Sequence, residues 1–406
     1  MRILVQKFGG TSLSDAQART HAIRHIKQAL ADSYQLVVVV SAMGRKGEPY
    51  ATDSLLELIR HNGNCLPARE KDLLLHCGEI ISAAVLCSLL EAENVPAVVL
   101  TGAQAGIRTN DRFGDARIES IQPSRIVQAL SEGKVAVVPG FQGETAHGDI
   151  TTLGRGGSDT TATALGAALR AECVDIFTDV NGIFTADPRI VSEAKPIERV
   201  TYAEICNMAY QGAKVIHPRA VEVAMEAGVP IRVRSTFSDD EGTLVTRGDE
   251  PEGADRRLKD RFVTGIAHVA PVTQIKVAAQ EGQYDLSLNV FKTMAQHQIS
   301  VDFINVNVSG VTYTVFAHES ERAIRVLNRL GYEPETTEGC AKVSVIGGGM
   351  NGVPGIMAHI VEALTKNDIP ILQSADSNAT IWVLVKESDM AKAIQALHQT
   401  FQLDKP

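Results

Sequence analysis

The stretch Lys-Phe-Gly-Gly-Thr-Ser-Leu-Ser, residues 7–14, decides how the first half of this chain folds. Residues 3–8 predict a short strand, the glycines end it, and a helix is expected over 14–31, capped by Thr11, Ser12 or Ser14. Glycines let backbone N–H groups approach oxygens closely, and both a lysine and a helix N-terminus attract anions. The motif therefore predicts a phosphate-binding loop; the alternative, equally supported by the motif alone, is a tight turn beside an exposed lysine.

Length and composition indicate a globular protein of two or three domains. The chain has 406 residues, of which 44% are hydrophobic and 21% charged, and its formal net charge is −9. This charge argues against a nucleic-acid partner, and we expect no signal region and no run long enough to span a bilayer. The six cysteines form no CxxC pair, which favours reduced thiols in a cytoplasmic protein over a disulfide frame or a metal site.

Strands and helices alternate through residues 1–235. The strands are continuous apolar runs, which is typical of a parallel sheet covered on both faces. The predicted fold class is therefore α/β, with a mainly parallel sheet sandwiched by helices. The candidate strands are 3–8, 36–42, 97–101, 135–141, 174–180 and 229–235, and the candidate helices are 14–31, 68–92, 123–131, 158–170 and 217–227.

The C-terminal part contains an internal repeat. Residues 286–330 and 357–400 share an order of helix, strand, strand and helix at an offset of about 70 residues, which indicates two copies of a small α+β unit. A polar, glycine-containing segment precedes them. The predicted domains are 1–240, a linker at 241–262, and two repeats at 263–338 and 339–406, with intertwined repeats as an alternative.

Gly-Gly-Gly-Met-Asn-Gly at 347–352 matches the GxGxxG pattern, and Asp376 follows at a suitable distance for binding a ribose. A dinucleotide-binding fold needs several βα units, whereas only one more strand and helix follow. We therefore interpret this segment as an architectural or small-ligand loop, equivalent to residues 278–283 of the first repeat.

A second glycine-rich stretch, Thr-Leu-Gly-Arg-Gly-Gly-Ser-Asp-Thr-Thr at 152–161, opens a helix of small residues. Arg155 can bind a carboxylate with two hydrogen bonds. Asp159 could orient lysines or a metal ion, or simply cap the helix. We expect both glycine loops at the C-terminal ends of strands in one sheet, where ligands of α/β proteins collect.

Other polar residues fit the same chemistry. Lys214 supplies a second lysine, and a polar turn runs from Thr178 to Arg189. Glu79 lies within an apolar helix, where burial without a cation would be costly; the alternative is an exposed position. Two lysines, glycine loops and an aspartate favour phosphoryl transfer, which depends on positioning and on cationic stabilisation. The P-loop and protein-kinase signatures are absent from the sequence.

Six motifs occur in order along the chain and together resemble the aspartokinases of the amino-acid kinase superfamily, including two C-terminal ACT-type repeats. The resemblance implies ATP-dependent phosphorylation of the β-carboxylate of L-aspartate, with Mg²⁺ bound mainly through the phosphates. The product, 4-phospho-L-aspartate, begins the route to lysine, threonine, methionine and diaminopimelate. The motifs are KFGGTSLS at 7–14, SAMG at 41–44, Gly78-Glu79, TLGRGGSDTT at 152–161, TDVNGIFTADPR at 178–189 and AKVIHPR at 213–219.

The resemblance also implies roles for individual residues. Lys7 and Lys214 would stabilise charge on the transferred phosphoryl group, and Asp159 would organise both lysines. In the aspartate site, Glu79 would pair with the amino group and Arg155 with the α-carboxylate. The implied ATP contacts are Lys7, Gly9, Gly10, Thr178, Asp179, Phe184, Asp187, Arg189 and Lys214, and the implied aspartate contacts are Ser41, Thr52, Glu79, Arg155 and Ser158.

Two positions depart from the family pattern. Asn181 stands where many relatives have Asp, and the first repeat's loop at 279–282 lacks the Pro-Gly pair found at 354–355. The segments 373–377 and 381–385 are similar to the diaminopimelate-sensitive aspartokinases of bacilli, which favours meso-diaminopimelate over lysine or threonine as inhibitor.

The resemblance extends to effector and partners. Asn305 and Asn307 are candidate effector contacts, with sheet-edge polarity as the alternative. ACT units usually pair across chains, which implies a homodimer. Two other functions are open to the same motifs. A kinase acting on acetylglutamate or glutamate is disfavoured by the paired repeats and by Glu79. An inert amino-acid-binding regulator is disfavoured by Lys7, Lys214 and Asp159.

Overall fold

The computed structural model describes residues 2–60, 66–213, 215–248, 262–280, 285–350 and 352–405. The chain divides into two units. The first contains the described residues of 1–183, 196–209 and 214–256, and the second those of 184–195, 210–213 and 257–406. Lys214 and most of the predicted linker lie outside the described residues.

The first part of the chain alternates strands and helices, as predicted. Its strands are β1 (Ile3–Phe8), β2 (Gln35–Val40), β3 (Ala97–Val99), β4 (Ile107–Thr109), β5 (Ile118–Ile121), β6 (Val135–Pro139), β7 (Gln142–Glu144), β8 (Ile150–Thr152), β9 (Cys173–Thr178), β10 (Arg199–Thr201), β11 (Ile231–Ser235) and β12 (Thr243–Thr246). Its helices are α1 (Ala16–Ala31), α2 (Thr52–Arg60), α3 (Ala68–Ala92), α4 (Ser124–Ser131), α5 (Gly157–Leu169), α6 (Tyr202–Tyr210) and α7 (Pro218–Ala227).

The main sheet has eight strands in the order β10-β12-β11-β9-β1-β2-β6-β3. Strand β11 pairs with β12 antiparallel, and the other neighbours are parallel. Four consecutive valines of β2 are fully buried, because α1 and α3 cover one face while α5 packs against β1, β2 and β9. The α/β fold class predicted from the sequence is confirmed.

Helix α1 begins later than the glycine motif predicts. Its N-cap is Asp15, whose carboxylate accepts a hydrogen bond from Ala18 N at 2.9 Å, whereas the Ser14 hydroxyl donates to Thr11 O. Residues Gly10–Ser12 form a single 3-10 turn instead. The prediction that Thr11, Ser12 or Ser14 caps this helix is therefore wrong, because an aspartate that reaches the third helical N–H is a strong cap.

A second sheet was missed by the sequence analysis. It has four strands in the order β5-β4-β7-β8, each only three or four residues long, too short to show a periodic pattern. Because β8 precedes the second glycine loop, that loop does not follow a strand of the main sheet. The prediction that both loops end strands of one sheet is wrong.

Helix α3 is long and apolar enough, by length and composition, to cross a bilayer, so the expectation that no run reaches this length is wrong. The helix nevertheless buries Asp72, Glu79 and Ser82 on one face, and it packs against β6 and β8. Buried polar groups that contact the rest of a domain are typical of a core helix.

The second part of the chain contains the predicted repeat. Its elements are β13 (Gly265–Ala278), α8 (Leu286–Gln296), β14 (Asp302–Asn307), β15 (Gly310–Phe316), α9 (Ala317–Arg329), β16 (Glu335–Ile346), α10 (Ile356–Lys366), β17 (Gln373–Asp376), β18 (Thr380–Lys386) and α11 (Met390–Thr400). They form one antiparallel sheet in the order β14-β15-β13-β16-β18-β17, and the two α+β repeats are confirmed.

Strand β13 takes part in both repeats. Its residues 272–278 pair with β15 of the first repeat, and 265–269 pair with residues 342–346 of β16 in the second. The predicted boundary between residues 338 and 339 falls inside β16. In the 347–352 loop, Gly347 packs so closely on Phe262 that a Cβ would lie 2.0 Å from its carbonyl oxygen. Asn351 and residues 281–283 of the equivalent loop lie outside the described residues.

Candidate active site

The centre of the candidate site is an ion pair between β1 and α5. Lys7, one residue from the end of β1, places its Nζ 2.7 Å from Asp159 Oδ1, and the two side chains are only 12% and 13% exposed. Helix α5 is preceded by Gly156 as N-cap, so Asp159 lies within its first turn and the simple cap is excluded. The structure therefore brings Lys7 and Asp159 together, as predicted for a carboxylate that orients a lysine.

The two glycines of the first loop serve different purposes. A Cβ on Gly10 would lie 2.7 Å from Ala42 O and 2.8 Å from Gly44 O, so this glycine permits the 41–44 loop to pack against it. At Gly9 a Cβ would instead occupy space 3.5 Å from Lys7 Nζ. A small group can thus approach the ammonium over Gly9, which suits a phosphate oxygen.

Glu79 lies on the buried face of α3 and is only 3% exposed. Ala42 N donates to its Oε1 at 3.2 Å, while Oε2 has no hydrogen-bond partner within the described part of the chain. Burial raises the pKa of this carboxyl to about 8, and the bond from Ala42 opposes the rise only partly. The alternative of an exposed helix position is excluded. A cation from a ligand would give Oε2 the partner that it lacks among the described residues.

The second glycine loop joins β8 to α5. Gly154 and Gly156 have φ values of +73° and +68°, and Gly156 lies against His217, the N-cap of α7, with no room for a Cβ. Ser158 is nearly buried against Gly140. Arg155, between the two left-handed glycines, is exposed, and the described residues offer its guanidinium no ion-pair partner. The loop thus holds Ser158 and Asp159 in place and leaves Arg155 available to a ligand.

Two charged side chains that the sequence analysis did not single out hold this loop. The Asp72 carboxylate accepts hydrogen bonds from Gly114 N, Thr152 N and Thr152 Oγ1, and the Arg219 guanidinium donates to Leu153 O and Ala116 O. Asp72 stands in the same apolar helix as Glu79, seven residues earlier, so the signal that drew attention to Glu79 could also have found Asp72. Arg219 closes the AKVIHPR motif.

A polar turn follows β9, the strand that pairs with β1 on the side away from β2. Thr178 Oγ1 accepts a hydrogen bond from Val180 N, and Asp179 pairs with Arg45 at 2.5 Å. Asn181 donates to Asp240. Arg45 lies in the segment after SAMG and was not predicted, because an exposed arginine in a loop carries no pattern of its own.

The remaining predicted residues lie elsewhere or are less constrained. Ser41 donates its backbone N–H to Phe8 O, and Thr52 is the first residue of α2. Phe184, Asp187 and Arg189 belong to the second unit, where Phe184 packs on the core of the second repeat. There Arg189 forms two side-chain bonds with Asp187 and lowers the pKa of that carboxyl.

Asn305 and Asn307 lie on β14, an edge strand of the second sheet, and Asn307 donates to Asn305. This position fits the edge-polarity alternative as well as an effector contact. Among the described residues, no group of three or more His, Cys, Asp or Glu could hold a metal ion.

Two family models and a curated relative match this chain. Residues 2–235 match the model of the amino acid kinase family, and residues 335–399 match that of an ACT domain. Aspartokinase 1 of Bacillus subtilis (strain 168) is 57% identical over 406 residues, with 100% of both chains covered.

Solved structures of an aspartokinase are similar to this chain over almost its whole length. E. coli aspartokinase III in complex with aspartate and ADP, in the R-state, superposes with a TM-score of 0.78 at 28% identity, over 98% of this chain and 99% of the other. The E. coli enzyme in complex with lysine and aspartate, in the T-state, gives a TM-score of 0.77 at the same identity and coverage.

Proposed function

The chain belongs to the aspartokinases of the amino acid kinase family, with an ACT domain in its C-terminal part, and we propose how its site performs and regulates the reaction. An oxygen of the aspartate β-carboxylate attacks the γ-phosphorus of ATP, the bond to the β–γ bridging oxygen breaks, and ADP leaves. The acceptor is already an anion, so no general base is needed. The product is 4-phospho-L-aspartate.

The Lys7–Asp159 ion pair carries this proposal. The carboxylate holds the ammonium beside the open space at Gly9, and the near-burial of both side chains strengthens their electrostatic effect. Charge that builds on the transferred phosphoryl group is best stabilised by a cation already fixed in place. Lys7 fills that role, Asp159 orients it, and Lys214 is assigned the same role by resemblance alone.

The Glu79 carboxylate, whose Oε2 has no hydrogen-bond partner in the described part of the chain, supports an amino-acid substrate. Its buried Oε2 suits an ammonium group, because a cation would replace the solvation that burial removes. Arg155 then binds the α-carboxylate, and Ser41, Thr52 and Ser158 complete the aspartate site. E. coli aspartokinase III has been solved with aspartate and ADP, which supports the same pair of ligands here.

The nucleotide is proposed to lie over Gly9 and Gly10, with Thr178 and Asp179 beside it. Phe184, Asp187, Arg189 and Lys214 are further contacts on the strength of the resemblance. Mg²⁺ bound through the phosphates would neutralise their charge. The residues of this chain bind and orient the two substrates.

Regulation is proposed to pass through the ACT repeats. E. coli aspartokinase III has been solved with lysine, and for this chain we propose meso-diaminopimelate, with Asn305 and Asn307 as contacts. We further propose a cytoplasmic homodimer paired through these repeats. The boundaries 1–240, 241–262, 263–338 and 339–406 remain our proposal, and the pairing of β13 in both repeats favours the intertwined arrangement.

Trapping of the acyl phosphate tests the reaction. Purified protein with ATP, Mg²⁺, L-aspartate and hydroxylamine is expected to form aspartyl hydroxamate, whereas glutamate and N-acetylglutamate yield none. The Lys7→Ala variant is the negative control of this assay. Absence of hydroxamate with aspartate, or preferred reaction with either glutamate compound, would overturn the assignment.

Inhibition assays test the regulation. Initial rates are measured with meso-diaminopimelate, lysine and threonine, singly and in pairs. Inhibition by meso-diaminopimelate alone is expected. Inhibition only by lysine or threonine would reject this effector without affecting the proposed reaction.

A further inference from the structure

Asp72 anchors the start of the Arg155 loop from inside the protein. Its carboxylate is fully buried, and it accepts from Gly114 N at 2.9 Å, Thr152 N at 2.7 Å and Thr152 Oγ1 at 2.8 Å. These three hydrogen bonds to one carboxylate leave little freedom to Thr152, the last residue of β8, and tie it to the turn at Gly114. The carboxylate thereby fixes the residue at which β8 passes into the glycine-rich loop.

Arg219 holds the next residue of the loop from α7. Its guanidinium donates to Leu153 O at 2.8 Å and to Ala116 O at 2.8 Å, so it binds the loop and the 114–116 segment together. Asp72 binds the same two segments through Gly114 and Thr152. Asp72 and Arg219 therefore both connect the 114–116 segment to the start of the glycine-rich loop, Asp72 at residue 152 and Arg219 at residue 153.

Arg155 depends on this anchoring because its guanidinium has no ion-pair partner among the described residues. It is exposed, and its neighbours Gly154 and Gly156 are left-handed glycines, which have no side chains with which to anchor the backbone. The direction in which the guanidinium points is thus set by the backbone on either side of it.

We propose that Asp72 and Arg219 are positioning residues for substrate binding, acting through Arg155 without touching the substrate. The inference rests on the proposed role of Arg155. Asp72 and Glu79 lie seven residues apart, about 10 Å along one face of α3. Helix α3 therefore serves both ends of the substrate. It carries Glu79, which binds the amino group, and Asp72, which positions Arg155 for the α-carboxylate through the loop.

Steady-state kinetics of Asp72 variants provide the test. In Asp72→Ala all three donors lose their partner, and the KM for aspartate is expected to rise at least tenfold, while kcat and the KM for ATP change less than threefold. Asp72→Asn retains an acceptor for both backbone N–H groups and an NH₂ that can donate to the Thr152 hydroxyl. It is expected to restore the aspartate KM to within threefold of the parent.

Asp175→Ala is the matched control. Asp175 is also fully buried and also bonded, but to Arg232 and Arg234, away from the loop. It is expected to lower the melting temperature without raising the aspartate KM. If it raises that KM as Asp72→Ala does, the effect is general destabilisation and the inference fails. If Asp72→Ala does not fold, Arg219→Lys replaces it in the test. Lysine lacks the forked guanidinium that donates to both Leu153 O and Ala116 O, so the aspartate KM should again rise.

A double-mutant cycle separates this inference from the proposed function. If Asp72 acts through Arg155, then Asp72→Ala adds less than twofold to the aspartate KM of Arg155→Ala. Fully multiplicative effects would overturn the positioning role. An unchanged aspartate KM in Arg155→Ala would instead refute the proposed role of Arg155. A raised KM in Arg155→Ala beside unchanged KM values in Asp72→Ala and Arg219→Lys would refute only the present inference.

Discussion

Lys7 Nζ lies 2.7 Å from Asp159 Oδ1, at the point where a parallel strand and the first turn of a helix meet. A lysine side chain is long and flexible, and a fixed carboxylate removes much of that freedom before any ligand binds. Asp159 sits on α5, a helix of small buried residues packed directly on β1. Two elements that pack directly on each other therefore hold the pair, which suits a group that must meet developing charge.

Removal of the Lys7 ammonium should act mainly on turnover. We expect Lys7→Ala to lower kcat by about 10²–10³, the usual cost of losing one preorganised stabilising group. The KM for aspartate should change little, and the melting temperature should stay near that of the parent. Steady-state kinetics and thermal melting measure both. Lys27→Ala, which removes an exposed lysine paired with Glu93, is the control, and comparable losses of turnover in both variants would contradict the assigned role.

The buried Glu79 carboxyl should make aspartate binding depend on pH. Because its pKa is raised to about 8, the free enzyme holds it protonated at pH 7 and must lose that proton to bind an ammonium group. The KM for aspartate should therefore fall as pH rises from 6.5 to 8.5. In Glu79→Gln the KM should be higher and flat over this range. A parallel pH dependence in both proteins would show that another group titrates.

The same carboxyl should affect stability. The folded protein retains a proton that the unfolded chain loses above its ordinary pKa of 4.5, so this group lowers the free energy of unfolding as pH rises from 4.5 to about 8. Glu79→Gln removes the penalty. At pH 8.5 we expect it to stabilise the protein by a few kcal/mol, since one pKa unit corresponds to about 1.4 kcal/mol. Urea unfolding at pH 5 and pH 8.5 measures the difference, and an equal effect at both pH values would contradict it.

The exposed pair Arg45–Asp179 should matter for the nucleotide and little for stability. Exposed ion pairs contribute about 0–1 kcal/mol, so Arg45→Ala should leave the melting temperature almost unchanged. If the pair orders the turn beside the nucleotide, Arg45→Ala and Asp179→Asn should each raise the KM for ATP about three- to tenfold. The aspartate KM should stay constant. Lys46→Ala, next to Arg45, is the control, and equal ATP KM values in all variants would remove this turn from the nucleotide site.

The asparagines of β14 should affect inhibition without affecting catalysis. We expect Asn305→Ala and Asn307→Ala to raise the half-inhibitory concentration of meso-diaminopimelate at least fivefold while the uninhibited rate stays the same. Ser309→Ala, which removes a hydroxyl bonded to Asn307, is the neighbouring control and should have a smaller effect. Unchanged inhibition in both asparagine variants would favour plain sheet-edge polarity.

Long and strongly patterned elements could be predicted from the sequence. The valine run of β2 and the apolar α3 have the expected positions, because consecutive buried residues or a sustained apolar helix admit few other structures. The strands of the four-stranded sheet could not be predicted, since three residues such as Ile150–Thr152 carry no usable period. The cap of α1 was misassigned because several polar side chains in a row can each cap, and only packing selects Asp15.

By itself the sequence determined the fold class, the repeat and the residue types of the candidate site, because hydrophobic pattern and glycine loops depend on local chemistry. Only the tertiary structure decided that Lys7 meets Asp159, that Glu79 is buried with one oxygen unpaired among the described residues, and that Asp72 supports the Arg155 loop. These relationships join segments far apart in the chain. Burial and partnership are properties of the packed domain, and no stretch of residues specifies them locally.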